Sequence, residues 1–322
     1  DGSIHLFVAE MAMGGWNNQY NYDARIFEYV SSDNGKTWQR NLLSQGMGTH
    51  EATVCDIDDD GELEIVGKVW GKAYEIPKVQ IWRRVQSDSP LLNFRHQFID
   101  RQKADKGTDI LAASVRGNGQ RDIFCGPLQY SAPNWERSTI PGVCQVIYAY
   151  DLDRDGVDEL IAVKPGPADK PKKQILNNEL CWLKWSNGQW QELPIGTARG
   201  DWPHGVVVSP LLPGGKLAMV TSYHSAHARP DNLDYPEIWE VPDDPTSGPW
   251  PKRTIAEVLY GEELRAADLS GDGLLDVVAG GWWLENKGDG TFEPHQMVSN
   301  FYAARLAIGD INGDGRPDIV LG

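Results

Sequence analysis

The chain has 322 residues, a formal net charge of −16 and 40% apolar residues, enough for a sizeable core in one large or two ordinary domains. Its 34 Gly, 20 Pro and 13 Trp favour strands and turns over helices. The sequence lacks the basic stripe that nucleic-acid binding would need, and it contains no apolar run long enough for a membrane span.

The acidic residues are concentrated in four short loops that share one pattern. Residues 56–67 read DIDDDGELEIVG, and the pattern recurs at 151–163 (DLDRDGVDELIAV), 268–280 (DLSGDGLLDVVAG) and 310–322 (DINGDGRPDIVLG). These loops hold 17 of the 46 acidic residues, which leaves 29 acids against 30 Lys and Arg elsewhere. The acidity therefore indicates cation sites rather than a polyanionic surface.

Each loop has oxygen-bearing side chains at positions 1, 3, 5 and 9 and a glycine at position 6. Crowded carboxylates repel one another unless a cation lies between them, and ligands that are all oxygen suit calcium. The glycine allows the sharp turn that wraps the backbone around the ion. We predict up to four structural calcium sites, with the ligands Asp56, Asp58, Asp60, Glu64, Asp151, Asp153, Asp155, Glu159, Asp268, Ser270, Asp272, Asp276, Asp310, Asn312, Asp314 and Asp318.

The same opening, Asp-x-Asp-x-Asp-Gly, also begins an EF-hand. An EF-hand needs a bidentate Glu at position 12 and a helix after it. Position 12 here is Gly67, Ala162, Ala279 or Leu321, in apolar sequence typical of strands. The pattern therefore favours a strand–loop–strand unit.

The acidic loops belong to a longer repeat of four predicted strands, which we call A to D. The best-defined strands are 52–55, 63–69, 79–83 and 94–99 in the second repeat, 160–163, 180–183 and 190–195 in the fourth, and 275–279, 282–285 and 291–297 in the sixth. The third repeat has Ser114, Arg116 and Asn118 at the ligand positions, and the fifth has residues 209–216 (SPLLPGGK) instead of the loop. Both still need a tight turn between strands A and B.

The turns between strands C and D repeat a second pattern. Residues 31–38 read SSDNGKTW, which is an Asp-box of the form Ser-x-Asp-x-Gly-x-Thr-Trp. Weaker copies occur at 185–190, 244–250 and 287–292. We interpret these boxes as structural devices that close hairpins.

Four-stranded units about 40–60 residues apart are typical of a β-propeller. We predict an all-β chain that forms one propeller domain over residues 1–322, with seven four-stranded antiparallel blades or, as the alternative, six. The blades lie at about 1–45, 46–99, 100–140, 141–195, 196–256, 257–297 and 298–322. The first repeat lacks strand A and the last stops after strand B, so strands or domains beyond either terminus would complete them.

The repeated D-x-[DNS]-x-D-G-x-x-[DE]-[ILV]-[VI] pattern resembles the FG-GAP/VCBS repeats of calcium-binding propellers, and it covers essentially the whole chain. Residues 48–52 (GTHEA) and 65–68 (IVGK), on either side of the first loop, resemble the propellers of aldos-2-ulose dehydratase and of rhamnose–glucuronate polysaccharide lyases. Both kinds of enzyme carry out eliminations on sugars. The resemblance therefore implies a carbon–oxygen lyase acting on carbohydrate.

Propeller geometry predicts that the site lies at a central funnel, on the face opposite the calcium loops. Polar residues that precede strand A, or that follow strand B, converge there. The catalytic candidates are His50, Glu51, His204, His224, Arg265, Arg305, Tyr148 and Tyr302, and the substrate-binding candidates are Lys68, Trp70, Lys164, Trp202, Tyr223, Glu262 and Glu263. We interpret His5, His96 and His295, in outer or edge strands, as structural.

Several mechanisms fit these residues. In a β-elimination, His50 or His204 would act as base and acid, Arg265 or Arg305 would neutralise the enolate, and Tyr148 or Tyr302 would donate a proton. Alternatively, His50, His204, His224 and Glu51 would hold an additional divalent metal, or Glu51 and Glu262 would act as a hydrolytic carboxylate pair. The alternative to an enzyme is a calcium-dependent module that binds glycan or protein, without catalysis.

The four cysteines match no zinc-ligand spacing. They predict either one disulfide, between Cys125 and Cys144, or buried free thiols. Weak oxygen-only calcium sites suit the millimolar calcium outside cells, so we expect a secreted protein, extracellular or periplasmic.

Overall fold

The computed structural model describes residues 2–11, 13–14, 19–69, 79–85, 94–101, 109–165, 178–199, 203–223, 235–258, 263–299 and 305–322. These residues form strands and turns, with a single 3-10 turn at Pro213–Gly215 among them. None of the described segments is a helix with the length and hydropathy of a membrane span. The chain divides into two compact units, one of residues 1–141 and 156–158 and the other of residues 142–155 and 159–322.

The first unit contains three antiparallel sheets of the repeat. They are β1 (Ile4–Ala9), β4 (Arg25–Ser31) and β5 (Gln39–Gln45); β6 (Glu51–Cys55), β7 (Glu64–Lys68), β8 (Val79–Arg84) and β9 (Phe94–Asp100); and β10 (Ile110–Ala113), β11 (Asp122–Cys125), β12 (Leu128–Ser131) and β13 (Glu136–Thr139). A separate two-stranded hairpin, β2 (Met13–Gly14) with β3 (Gln19–Tyr20), was not predicted from the sequence.

The second unit contains four more antiparallel sheets. They are β14 (Gln145–Tyr150), β15 (Glu159–Val163), β16 (Glu179–Ser186) and β17 (Gln189–Thr197); β18 (Pro203–Leu212), β19 (Lys216–Tyr223), β20 (Glu237–Glu240) and β21 (Lys252–Thr254); β22 (Leu264–Ala267), β23 (Asp276–Ala279), β24 (Trp282–Asn286) and β25 (Phe292–Gln296); and β26 (Leu306–Gly309) with β27 (Asp318–Leu321).

Strands that are consecutive in the sequence are neighbours in every one of these sheets, apart from the hairpin inserted between β1 and β4. The fold is therefore a β-propeller, whose blades are antiparallel meanders. The predicted strand order A to D is confirmed in the five complete sheets. The first sheet has three strands and the last has two, as the repeat pattern predicts. The described strands thus form seven successive blade sheets.

The core of each unit lies between successive sheets. In the first unit, Ile26 of the first sheet packs with Ile65 and Trp82 of the second. In the second unit, Ile161 packs with Met219 and Trp239 of the following sheet. The second strands β7 and β15 are buried along their whole length, whereas β13, an outer fourth strand, is exposed along its whole length. Coverage on both faces explains why the second strands are continuous apolar runs.

The two repeats that lack the acidic pattern keep the turn between strands A and B. In the third sheet, Gly117 and Gly119 have φ values of 60° and 77°, a region that glycine adopts without strain. In the fifth sheet, the 3-10 turn at Pro213–Gly215 replaces the loop. The turn therefore forms, as predicted, even in repeats that lack the acidic ligands.

The Asp-box between β4 and β5 is a closed network of hydrogen bonds. The Ser31 hydroxyl donates to Asp33 Oδ1 over 2.9 Å and accepts from Gly35 N at 2.9 Å. Asp33 also accepts from Thr37 N at 2.9 Å and from the Thr37 hydroxyl at 2.7 Å, and Trp38 Nε1 donates to Gly35 O over 3.0 Å. The hydrogen bonds from Thr37 lower the pKa of Asp33 to about 2. The box acts as a hairpin clasp, in agreement with its structural interpretation.

The four cysteines are free thiols, so the predicted alternative of a disulfide between Cys125 and Cys144 is not formed. Burial raises the pKa of Cys55 and Cys144 to about 11 and that of Cys181 to about 12. Because the thiolate is the reactive species, these cysteines are unreactive at neutral pH.

Gly67 in β7 offers a direct test of the packing between strands. A Cβ atom at this position would lie 2.6 Å from Thr49 Cγ2 and 3.1 Å from Trp82 Cζ3, and both of these side chains are buried. We expect Gly67→Ala to lower the free energy of unfolding by about 1–3 kcal/mol, measured by thermal or urea denaturation. The control is Gly309→Ala in β26, where a Cβ meets nothing within 4 Å. Equal melting of the two variants would contradict this packing.

The Asp-box predicts a pH-dependent contribution to stability. The pKa of Asp33 is lowered in the folded state, so its stabilisation is present above about pH 4 and is lost as the pH falls towards about 2. We expect Asp33→Asn to lower Tm at neutral pH, by an amount that shrinks as the pH falls through this range. Asp23→Asn removes an exposed carboxylate outside the box and serves as the control. A constant difference in Tm across this range would argue against the network.

Candidate functional site

The four acidic loops share one pattern of internal hydrogen bonds. The carboxylate at position 9 accepts a hydrogen bond from the backbone N–H of position 2 in every loop, with lengths of 2.9, 2.8, 3.0 and 2.9 Å. The carboxylate at position 1 accepts from the backbone N–H of position 5, over 3.0–3.2 Å. Hydrogen bonds within each loop therefore hold its backbone in a curved shape that can surround a ligand.

The turn residues of the loops also agree with one another. The glycine at position 6 has a positive φ of 81–87° in each loop: Gly61, Gly156, Gly273 and Gly315. Position 4 is left-handed as well, and there the loops differ. Asp59 and Arg154 adopt φ values of 61° and 63°, where the other two loops have Gly271 and Gly313. The sequence pattern pointed to position 6 but not to position 4.

Two loops bring their carboxylates together as a cation would require. Oxygen atoms of Asp56, Asp58 and Glu64 lie within 4.8 Å of one another, and so do those of Asp151, Asp153 and Glu159. Asp58 Oδ1 and Glu159 Oε1 are buried and accept no hydrogen bond from any described residue.

The electrostatics of the two position-9 carboxyls agree with this geometry. Burial raises the pKa of Glu159 to about 7 and also raises that of Glu64. The buried Asp58 oxygen, which accepts no hydrogen bond from a described residue, and the two destabilised carboxylates fit a calcium ion.

Two basic side chains that the sequence analysis missed also reach these loops. Arg83 of β8 contacts the Asp58 carboxylate, and Lys184 of β16 contacts Asp153. Lys184 Nζ also lies 2.6 Å from Asp155 Oδ2 and 3.4 Å from Glu159 Oε1. Both bases occupy the same place in strand C of their repeats, a correspondence that the strand register reveals.

Three of the predicted funnel residues meet at the start of β6 in the first unit. Glu51 and Lys68 are paired across β6 and β7, and His50 N donates to Lys68 O over 2.7 Å. His50 Nδ1 lies 3.4 Å from Glu51 Oε1, and these side chains are 12% and 14% exposed. Lys68 is 2% exposed. We call these three residues the His50 cluster.

Other predicted residues gather at the start of β22 in the second unit. Arg265 contacts the Glu263 carboxylate, and the other oxygen of Glu263 accepts from Leu306 N at 2.7 Å. Burial raises the pKa of the Tyr148 hydroxyl, and the nearby Arg265 partly opposes this shift. The backbone of Arg305 pairs with Gly322.

The remaining candidates in the second unit are held by structural partners or are buried. Lys164 Nζ lies 2.5 Å from Glu192 Oε1. The Tyr223 hydroxyl donates to Glu237 and accepts from Arg199 N at 3.3 Å, and Tyr223 is 1% exposed. His204 lies buried in β18. Five of the predicted site residues lie outside the described residues, namely Trp70, Trp202, His224, Glu262 and Tyr302.

The three histidines interpreted as structural have structural partners. His5 Nδ1 lies 2.8 Å from Glu28 Oε1, and His96 hydrogen-bonds to Gln80 over 2.9 Å. His295 Nε2 lies 2.7 Å from Glu285 Oε2, and with Glu293 these residues form a third group of close metal-type ligands. No such group within the described residues includes His50 or His204, and the additional metal stays a prediction.

Three clefts of the second unit are lined by none of the predicted funnel residues, although one of them borders Asp153 of the acidic loop 151–159. One cleft of about 580 Å³ is lined by Lys216, Glu240, Arg253 and Asp289, among others, and contains none of the predicted site residues. It offers an exposed mixture of charges without a histidine or a buried polar group. We therefore base the functional argument on the His50 cluster.

The comparisons with known proteins agree with the repeat pattern and with the fold. The model of the FG-GAP-like repeat matches residues 268–321, a range that contains the strands β23 to β27. The search of curated proteins finds no match.

Among solved structures, an ancestral GH74 enzyme is 10% identical, with a TM-score of 0.52, over 93% of this chain and 41% of that one. The V. cholerae biofilm matrix protein Bap1 is 13% identical, with a TM-score of 0.39, over 98% of this chain and 83% of that one. An exotype rhamnogalacturonan lyase is 13% identical, with a TM-score of 0.39, over 99% and 58%. This chain thus spans about half the length of the two enzymes, and the likeness to the GH74 enzyme concerns the fold alone.

Proposed function

We propose that this chain is a carbohydrate-active β-propeller that acts on uronate- or ketose-containing sugars by β-elimination. The observation that carries the proposal is the His50 cluster, where a histidine, a carboxylate and a buried lysine meet at the start of β6. An elimination next to a carboxyl or carbonyl group needs a base and a positive charge at the enolate. The cluster contains both.

The chemistry of the elimination assigns the central role to His50. The hydrogen on the carbon alpha to the carboxyl or carbonyl group is removed, its electron pair forms a double bond to the β-carbon, and the β-carbon loses its oxygen substituent. His50 Nδ1 faces Glu51, so Nε2 is the atom that takes this proton. The same imidazolium returns the proton to the leaving oxygen and becomes neutral again.

Glu51 and Lys68 support this proton transfer electrostatically. The carboxylate of Glu51, 3.4 Å from Nδ1, stabilises the imidazolium that forms when His50 takes the proton. Lys68 lies opposite Glu51 in the sheet, and its burial strengthens its attraction for negative charge on the enolate. Glu51 is thus a positioning residue for His50.

The acidic loops supply the stability of the fold in this proposal, and calcium would bind to their carboxylates. Asp56, Asp58 and Glu64 would hold an ion in the second sheet, and Asp151, Asp153 and Glu159 in the fourth. The ion would tie the start of strand B to the end of strand A and would take no part in the reaction. Calcium is present at millimolar concentration outside cells, where weak oxygen-only sites would be filled, which supports a secreted protein.

The elimination is tested by incubating the protein with a panel of uronate-containing polysaccharides. We expect an increase in ultraviolet absorbance from a new unsaturated sugar, and His50→Gln is expected to slow it by about 10²–10⁴-fold through loss of the general base. His5→Gln is the matched control, because His5 bonds to Glu28 and lies outside the cluster. The activity of this control should equal that of the unchanged protein.

Two results would contradict the lyase proposal. One is the absence of any unsaturated product across uronate and ketose sugars. The other is a rate that His50→Gln leaves unchanged. Tight glycan binding without product, measured by calorimetry, would instead identify a non-catalytic binding module.

The calcium proposal predicts that a chelator lowers Tm. A ligand that binds only the folded state stabilises it by about 2.7 kcal/mol per site when its concentration is about 100 times Kd. Excess calcium should restore the original melt after EGTA treatment, whereas magnesium should not, because magnesium demands a smaller octahedral site. An identical melt with and without EGTA would count against calcium.

A further inference from the structure

The four acidic loops have the same backbone but not the same surroundings. Loops 56–64 and 151–159 each meet a basic side chain from strand C, whereas no described base contacts the ligand carboxylates of loop 268–276. We infer that Arg83 and Lys184 are built-in counter-ions, so that the first two loops keep their shape without calcium and bind it more weakly than loop 268–276. The inference rests on the calcium part of the proposed function.

The sheet register shows that the two bases are equivalent. Ile65 pairs with Trp82 across β7 and β8, so the next residue, Arg83, lies beside Glu64. Leu160 pairs with Leu183 across β15 and β16, which brings Lys184 to the same position beside Glu159. The strand-C position beside the position-9 carboxylate thus carries a basic side chain in both sheets.

The sixth sheet has the opposite charge at this place. Val277 pairs with Leu284, so Glu285 occupies the position of the two bases. Glu285 is turned to Lys287, at 3.0 Å, and to His295, at 2.7 Å. The loop at 268–276 therefore has no internal cation from strand C.

The two loops that have a base from strand C also have a carboxylate at position 3. Asp58 and Asp153 occupy this position in the first two loops, and they are the carboxylates that the bases contact. Ser270 and Asn312 replace them in the last two loops, where they accept a hydrogen bond from the backbone N–H of position 5. Four carboxylates together with one base in the first two loops, or three carboxylates without a base in loop 268–276, give the same net charge of −3.

In the third repeat a side chain from within the loop contacts the position-9 carboxylate. Arg116 at position 3 contacts the position-9 carboxylate of Asp122, which is fully buried, and donates to Ala132 O over 3.0 Å. The turn is kept although Ser114 and Asn118 replace the acidic ligands. A guanidinium is therefore sufficient to hold this loop. Loops 56–64 and 151–159 are intermediate, because they keep their acidic ligands and also have a base, Arg83 or Lys184.

The contacts of Lys184 explain why calcium should bind weakly there. Its ammonium lies among Asp153, Asp155 and Glu159, which are three of the four predicted ligands. A lysine side chain is ordinarily an ammonium at neutral pH, so it brings a positive charge to the ligand positions. A calcium ion must either displace this ammonium or bind beside a like charge.

Calcium titration of the full chain by calorimetry, after chelator treatment and dialysis, tests the inference. We expect the loop at 268–276 to bind calcium tightly and the loops at 56–64 and 151–159 to bind it more weakly. Asp272→Asn should remove a tight site, and Asp155→Asn should remove none. Lys184→Met should add one tight site by raising the affinity of its loop about 10-fold, the order expected for removing one like charge at about 4 Å from a partly exposed site.

Stability in EGTA supplies a second measurement on the same variants. Lys184→Met should melt at a lower temperature than the unchanged protein in EGTA, and calcium should raise its Tm by more. Lys184→Arg keeps the charge and should behave like the unchanged protein. Lys216→Met removes a lysine that pairs with Glu240 at 3.0 Å, outside the loops, and should leave the number of tight sites unchanged.

The outcomes separate this inference from the calcium proposal on which it rests. Four sites of equal affinity, or a Lys184→Met titration that superimposes on that of the unchanged protein, would overturn the counter-ion role and leave calcium binding intact. The absence of calcium binding at every loop would overturn both. The gain of one tight site in Lys184→Met supports the inference.

Discussion

The fold depends on one buried carboxylate at the start of the second strand of the acidic repeats. In each acidic loop this carboxylate accepts the backbone N–H of position 2, which fastens the end of strand A to the start of strand B. Glu64, Glu159 and Asp276 are almost fully buried. A carboxylate in that place is stable only with hydrogen bonds and a nearby positive charge. Each repeat has to supply that charge or to remove the need for it.

The repeats meet this requirement in different ways. The third uses Arg116 from within the loop, and the fifth dispenses with the carboxylate by means of the 3-10 turn at Pro213–Gly215. Two others present a base from strand C, and the sixth has three carboxylates and no described base. The same turn can therefore be kept with or without the full set of acidic side chains. This separation explains how blades of one propeller tolerate such different loop sequences.

The two ends of strand A have different tasks. In β6, Cys55 leads into the acidic loop, whereas Glu51 lies at the other end beside His50 and Lys68. The five residues of this strand separate the two regions by about 17 Å. Charge at one end can thus change without direct contact with groups at the other. Polar residues at the start of a strand are then available for chemistry, while the loop at its end secures the strand.

Most of the architecture was predictable from the sequence. The repeated acidic loops, the Asp-box and the strand boundaries all depend on local signals, because glycine turns, Asx-type hydrogen bonds and apolar runs act over a few residues. The grouping of His50, Glu51 and Lys68 was also accessible, since strand pairing across a short loop is local. The hairpin of β2 and β3 carried no such pattern and was missed.

The sequence by itself therefore determined the propeller repeat, the candidate calcium ligands and the positions of the structural histidines. The tertiary structure alone decided which of those carboxylates face an internal cation. Arg83 and Lys184 are 25 and 31 residues from their partners Asp58 and Asp153, and the contact exists only because strands B and C pair in one register. The tertiary structure also decided that the Tyr223 hydroxyl donates a hydrogen bond to Glu237 within the core. Pairing between distant side chains depends on burial and register, which no local pattern records.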